Sequence, residues 1–206
     1  MKIHLDLDCF FCSAERTRYP FLKGKNVVIA KGSDKQIFTT QKKQGVMVGD
    51  TGAFNSVFEF KNNYIADHIT NAWRNEFRDE DGQIHGIVIT KSYEAKRYGI
   101  ATGTHLRDAI AMCPDLIIIP SDHLFYQELS MKLARYLELK IPMIEQYSID
   151  EWFGDLGGWI KDEDTLEFIT HLRDEIMEKF DLPITIGASK SKWIAKLLTD
   201  KIKPFG

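Results

Sequence analysis

Residues 3–8 alternate between apolar and polar side chains with the two-residue period of a strand, and residues 11–18 continue with helical spacing until Tyr19 and Pro20 interrupt it. Residues 27–30 and 86–90 are β-branched strand segments, 104–112 have helical spacing that stops before Cys113 and Pro114, and 116–119 form a strongly apolar strand. A helix over 123–141 presents Leu124, Leu129, Leu133, Tyr136 and Leu137 on one face and ends at Pro142. The alternation around Asp150 predicts paired strands within 144–156. A second amphipathic helix over 164–180 carries Leu166, Ile169, Leu172, Ile176 and Phe180 on its stripe. A strand at 184–188 precedes a helix over 191–203, with Ile194, Leu197 and Leu198 expected inward, lysines outward and Pro204 beyond its end. Strands and helices mixed in this order imply an α/β or α+β domain, a sheet with helices on one face, without internal repeats.

Composition narrows the class. With 206 residues, 44% of them hydrophobic, the chain can bury one sizeable core, divided into two lobes. No stretch approaches the roughly 18 apolar residues of a membrane span, and MKIHLDLD puts two acids where a signal peptide needs an apolar run, so a cytoplasmic protein without a membrane partner is expected. Three cysteines, an odd number, argue for reduced thiols. A net charge of −3 is not the basic balance of a domain that grips nucleic acid alone, but it suits an acidic pocket that holds metal ions.

Two acidic groups stand out. Asp6 and Asp8 end the first strand on one face, with Leu7 on the other, so both acids could reach one site. Asp150 and Glu151 lie among apolar residues at a strand junction, where adjacent acids need a compensating cation. Hard carboxylate oxygens from separate strands suit Mg²⁺ and, with it, phosphoryl or nucleotidyl transfer. The plainer alternative is that strand ends and turns are often acidic. Cys9 and Cys12 form a C-x-x-C between strand and helix, a redox spacing, yet two phenylalanines separate them and no second pair completes a zinc site. Lys190, Lys192, Lys196, Lys201 and Lys203 line or flank the last helix, either as a solvated face or, with the 187–191 loop, as a phosphate contact.

Taken in chain order, IHLDLDCFFCSAE, YPFLKGKNVVIA, SYEAKRYGI, MCPDLIIIPSD, YSIDEWFGDL and ITIGASKSKWIAKLLTDKIKPFG resemble the motifs of the Y-family translesion DNA polymerases, the polymerase IV and UmuC-like (ImpB/MucB/SamB) group. The resemblance implies an α+β fold: a ferredoxin-like palm, with an antiparallel or mixed sheet and helices on one face, plus a small fingers domain. The palm would comprise residues 1–18 and 116–206, and the fingers 19–115. It further implies template-directed transfer of dNTP to a primer 3′-hydroxyl, with two Mg²⁺ ions held by Asp6, Asp150, Glu151 and the backbone carbonyl of Leu7. Asp8 would be supportive. Phe11 would be the steric gate against a 2′-hydroxyl, with Phe10 in the core. Thr90, Tyr93, Lys96 and Lys203 would meet the triphosphate, and Ile89 would roof the new base pair. The implied partners are primer–template DNA and dNTP, and a sliding clamp through regions outside this chain; the implied location is cytoplasmic, nucleoid-associated in a bacterium.

Three departures accompany the resemblance. Lys96 stands where the family usually has arginine, and an ammonium cannot reproduce a guanidinium fork; Ile89 stands where small residues are common. Residues 33–85 read as a folded insertion, with turns near 45–52 and an amphipathic helix around 64–77, that could close over the template or bind a partner. The family's thumb and little finger have no counterpart in these 206 residues, which predicts weak, salt-sensitive DNA binding. Two competing readings remain at this point: a catalytically weak or inactive DNA-repair accessory protein derived from a polymerase, and a haloacid dehalogenase-like phosphatase using D-x-D.

Overall fold

The structure, a computed structural model, describes residues 1–32, 66–204 and 206. Strand β1 (Lys2–Leu7) and helix α1 (Phe10–Arg18) open the chain, and at their junction Cys9 takes a left-handed backbone with φ of 48°. Next come β2 (Val27–Lys31), α2 (Ala66–Asn75), β3 (Ile87–Lys91), α3 (Tyr93–Lys96), α4 (Leu106–Met112) and β4 (Ile117–Pro120). The remainder comprises α5 (His123–Lys140), β5 (Met143–Gln146), β6 (Glu151–Asp155), α6 (Thr165–Phe180), β7 (Ile184–Ser189) and α7 (Lys192–Ile202).

These elements form two units, Met1–Arg18 with Leu124–Gly206, and Tyr19–His123. The first is built on an antiparallel sheet in the order β5-β6-β1-β7. Its central strand β1 sends Ile3, Leu5 and Leu7 into the core, each fully buried and each contributing about 1.5–3 kcal/mol of apolar burial. Ile141, at the end of α5, packs on this apolar face: a Cβ built on Gly154 would lie 2.9 Å from Ile3 Cγ1 and 3.0 Å from Ile141 Cγ2. The opposite face carries His4 and Asp6, as strand alternation requires. Helix α7 crosses that polar face at close range. A Cβ on Gly187, which pairs with His4, would meet the Ala195 carbonyl oxygen at 2.3 Å and Thr199 Oγ1 at 2.5 Å.

The second unit holds a three-stranded sheet in the order β3-β2-β4, with β2 antiparallel to β3 and parallel to β4. Val28, Ala30, Phe77, Val88, Leu106 and Ile118 are among its buried core residues.

The α+β class stands as expected, and four details are corrected. The second unit extends through His123 rather than ending at residue 115, because β4 pairs along its length with β2. In α5 the buried stripe runs through Tyr126, Ser130, Leu133 and Leu137, leaving Leu124 exposed. In α6 Thr165 is buried and Leu166 is 72% exposed, so the inward face begins one residue earlier than the apolar pattern implies. In α7 the expectation is inverted: Ala195 and Thr199 face the sheet, while Ile194, Leu197 and Leu198 are exposed. The contact at Gly187 explains this, since only small side chains fit where helix backbone and strand backbone approach so closely. The turns expected near 45–52 lie outside the described residues, and the described part of the helix expected around 64–77 is α2.

Candidate active site

Backbone pairing brings the acids together. β1 and β6 are in a register that sets Asp6 opposite Glu151, and the Leu7 N–H donates to the Asp150 carbonyl at 3.0 Å, one step beyond the end of the ladder. The tight β5–β6 turn orients Asp150: the N–H groups of Tyr147 and Ser148 both donate to the Glu151 carbonyl, and Ser148 Oγ donates to Asp150 Oδ1 at 2.7 Å. His4, Asp6 and Glu151 each offer a ligand atom, and these atoms lie within 4.8 Å of one another. This is a metal-sized cluster of one nitrogen and two carboxylate donors.

The charges at this site are strongly perturbed. Burial pushes the Asp6 carboxyl up to about 6; the neighbouring Asp150 and Glu151 charges add to that, and the Lys203 ammonium opposes it. Lys203 Nζ lies 2.5 Å from Asp6 Oδ1, and Lys196 Nζ donates to Glu151 Oε2 at 2.7 Å. Two lysines of one helix and its cap thus reach the two strand acids, which corrects the outward placement of Lys196 and Lys203, while Lys201 is exposed as expected. His4 is completely buried, and neither ring nitrogen has a hydrogen-bond partner among the described residues; Nε2 stops 3.6 Å short of Glu151 Oε2. Burial lowers its pKa to about 4, helped by Lys196 and opposed by Glu151, so the ring is neutral near pH 7.

Asp8 stays near this face but serves a different purpose. Thr185 Oγ1 lies 3.0 Å from both of its carboxylate oxygens, its N–H donates to the Pro183 carbonyl, and its own carbonyl accepts from Ser13 Oγ at 2.6 Å. It ties β7, the strand-to-helix turn and α1 together, a bracing role. Phe10 is buried as expected. Phe11, on the first turn of α1, is half-buried and stacks on Tyr126 with centroids 4.4 Å apart and planes 14° from parallel.

The other expected contacts lie in the second unit. Ile89 and Thr90 are half-buried on β3, and Tyr93 and Lys96 follow on α3, with the exposed Lys96 ammonium 5.9 Å from the centre of the Tyr93 ring. Ser92 fastens this strand–helix corner, accepting from the N–H groups of Val27 and Ala95 and donating to the Lys25 carbonyl. The structure therefore gathers Asp6, Asp150, Glu151 and Lys203 in one unit and Ile89, Thr90, Tyr93 and Lys96 in the other. Cys9 and Cys12 form no disulfide and take no part in the metal-sized cluster.

Sequence reasoning missed His4, Thr185 and Tyr126, and named Lys196 only as one of a row of solvated or phosphate-contacting lysines, not as a partner of Glu151. His4 was legible, because the alternation that pairs Asp6 with Asp8 also puts residue 4 on their face. Lys196, Thr199 and Lys203 fall three and four residues apart, a helical face in their own right that the apolar count obscured. Nothing local points to Thr185, whose role depends on pairing with a strand far away in sequence.

Comparison with known proteins agrees with this geometry. The impB/mucB/samB family matches residues 5–200. DNA polymerase IV 1 of Halalkalibacterium halodurans is 29% identical over 203 residues, covering 98% of this chain and 38% of that protein, and DNA polymerase IV of Alkaliphilus oremlandii is 36% identical over 125 residues, covering 59% and 31%. Among solved structures, the insertion ternary complex of Dbh DNA polymerase superposes with a TM-score of 0.73 at 24% identity, covering all of this chain and 47% of that one. The chain spans less than half the length of these relatives. Among the described residues no helix is long and apolar enough to cross a membrane. With a family match across nearly all of its length and the palm-and-fingers fold of those polymerases, this chain belongs to the impB/mucB/samB family of Y-family DNA polymerases.

Proposed function

We propose that this chain is the nucleotidyl-transfer core of a translesion DNA polymerase, which extends a primer on template DNA with deoxynucleotides. The observation that carries this reading is the pairing of Asp6 with Glu151 across two hydrogen-bonded strands, with Asp150 one residue away. Three carboxylates supplied by two strands and their turn form a hard-oxygen donor set that fits Mg²⁺, with the Leu7 carbonyl as a further oxygen. Magnesium bound there supplies the positive charge that a primer 3′-oxygen and a triphosphate need during in-line transfer.

The chain's own residues do the rest. Asp6, Asp150 and Glu151 would hold the ions, and Lys203 and Lys196, which pair with Asp6 and Glu151, would bring positive charge beside the phosphates once the ions displace them. Phe11 presents its ring to the sugar and excludes a 2′-hydroxyl, while Thr90 and Tyr93 offer hydroxyls and Lys96 an ammonium to the triphosphate beneath Ile89. The partners are primer–template DNA and dNTP, with a sliding clamp engaged through other parts of a longer polymerase, in the cytoplasm or nucleoid. The D-x-D phosphatase reading loses its ground, since Asp8 is engaged by Thr185 and the chain's family is that of polymerases.

The test is single-nucleotide primer extension at low salt with Mg²⁺. Wild type inserts the templated dNTP, Asp6→Ala and Asp150→Ala do not, and Phe11→Ala gains ribonucleotide insertion. A folded chain that binds primer–template without extending it is an accessory protein, a reading favoured by the lysines already seated on Asp6 and Glu151.

A further inference from the structure

Phe11 is held from behind by a chain of contacts that leads away from the acids. Its ring lies nearly parallel to Tyr126, at 4.4 Å. The Tyr126 side chain is itself fully buried, and its hydroxyl donates to Glu15 Oε1 at 2.7 Å. Glu15 is a completely buried carboxylate, tolerable only with a cation, and Arg18 supplies one: its Nη2 reaches Oε1 at 2.7 Å and Oε2 at 2.8 Å, and its Nε reaches Oε2 at 3.2 Å. The guanidinium in turn lies 4.0 Å from the centre of the Phe125 ring, the neighbour of Tyr126 on α5. The path from α1 to α5 and back thus closes on itself.

We infer that Tyr126, locked by Glu15 and Arg18, is a positioning residue that sets the sugar selectivity of Phe11. The inference rests on the polymerase reading, in which Phe11 is the gate. A ring that rejects one hydroxyl by contact discriminates only as strongly as it resists being pushed aside. A free phenylalanine on the first turn of a helix yields by rotating about χ1 or χ2 at small energetic cost. A flat aromatic backing with its far edge tied to a buried ion pair removes that freedom, so the ribonucleotide must displace two rings and a salt bridge rather than one side chain. The deoxynucleotide meets no such resistance, and the network acts on the ratio of the two substrates more than on either rate.

The experiment is single-nucleotide insertion of dNTP and rNTP on the same primer–template by the full chain, with thermal melting as the check on folding. Tyr126→Leu removes the backing ring, and Tyr126→Phe keeps the ring but cuts its tether; Phe11→Ala is the reference. The expected result is a fall in sugar discrimination of between about tenfold and a hundredfold for Tyr126→Leu, as for a reacting contact misplaced by a fraction of an ångström to an ångström. Tyr126→Phe shifts in the same direction by less, and Phe11→Ala/Tyr126→Leu discriminates no worse than Phe11→Ala alone, because the two residues act as one device. Should Tyr126→Leu fail to fold, Tyr126→Phe carries the comparison, and wild-type discrimination in that variant overturns the inference. Wild-type discrimination in a folded Tyr126→Leu, with Phe11→Ala relaxed, overturns it while leaving the gate in place. Unchanged discrimination in Phe11→Ala overturns the gate and this inference together, as does a wild-type chain that inserts neither nucleotide.

Discussion

Asp6 and Glu151 are register partners across β1 and β6, so backbone hydrogen bonds rather than side-chain packing fix the separation of their carboxylates. A site built this way depends most directly on the ligand side chains themselves. Asp6→Ala or Glu151→Ala is expected to lower primer extension at least about 1,000-fold, the loss of several kcal/mol of transition-state charge stabilisation. Far-ultraviolet circular dichroism should be unchanged, since the ladder needs neither side chain.

The Asp6 carboxyl gives a pH signature. Its value of about 6 in the folded chain exceeds the 3.8 of an unperturbed aspartate. A group with a raised folded-state pKa contributes stability that is full below pH 3.8 and lost as pH climbs through about 6. The ionised carboxylate therefore destabilises the apoprotein at neutral pH by roughly 3 kcal/mol. Asp6→Asn should melt higher than wild type at pH 7.5, and the gap should close toward pH 4. Protons compete with divalent cations for the same oxygens, so Mg²⁺ affinity measured by calorimetry should weaken below pH 6 and recover above it.

Lys203 opposes that upward shift. Replacing it with alanine removes the nearest positive charge and should raise the Asp6 pKa further, displacing its titration to higher pH. The measurement is the carboxyl ¹³C resonance of Asp6 followed through the titration. An unmoved midpoint would sink the claim that the ion pair persists in solution.

Gly187 predicts a packing failure. A methyl group there meets helix backbone, the Ala195 carbonyl at 2.3 Å, and backbone cannot rotate aside. Gly187→Ala should cost about 1–3 kcal/mol of stability, read as a lower melting temperature. It should also displace α7 and with it Lys196, so metal affinity should change in the same variant, whereas a remote destabilising substitution leaves affinity intact.

Much of this could be read in the sequence because it is local. The alternation over residues 3–8 identifies β1 and the face bearing Asp6, the breaks at Pro20 and Pro142 separate elements that the structure confirms as distinct, and Pro204 lies just past the end of α7. What escaped depends on partners far along the chain. The inward face of α7 is decided by a glycine on β7, so counting leucines selects the wrong side. The limit of the second unit is decided by β4 pairing with β2, a match ninety residues apart in sequence that no window reveals. Tyr126 escaped because its aromatic ring belongs to the buried stripe of α5, and only the hydroxyl on Glu15 distinguishes it from a core residue.

The lysines on Asp6 and Glu151 have a consequence for how this protein meets its ions. Many small metal domains collapse without their metal because nothing else quiets the repelling ligands. Here the chain carries its own substitutes, two tethered ammonium groups that occupy the carboxylates until a doubly charged visitor displaces them. Chelation should then silence chemistry and lower the melting temperature only by the binding free energy of the lost ions, leaving a folded chain that regains activity when magnesium is restored.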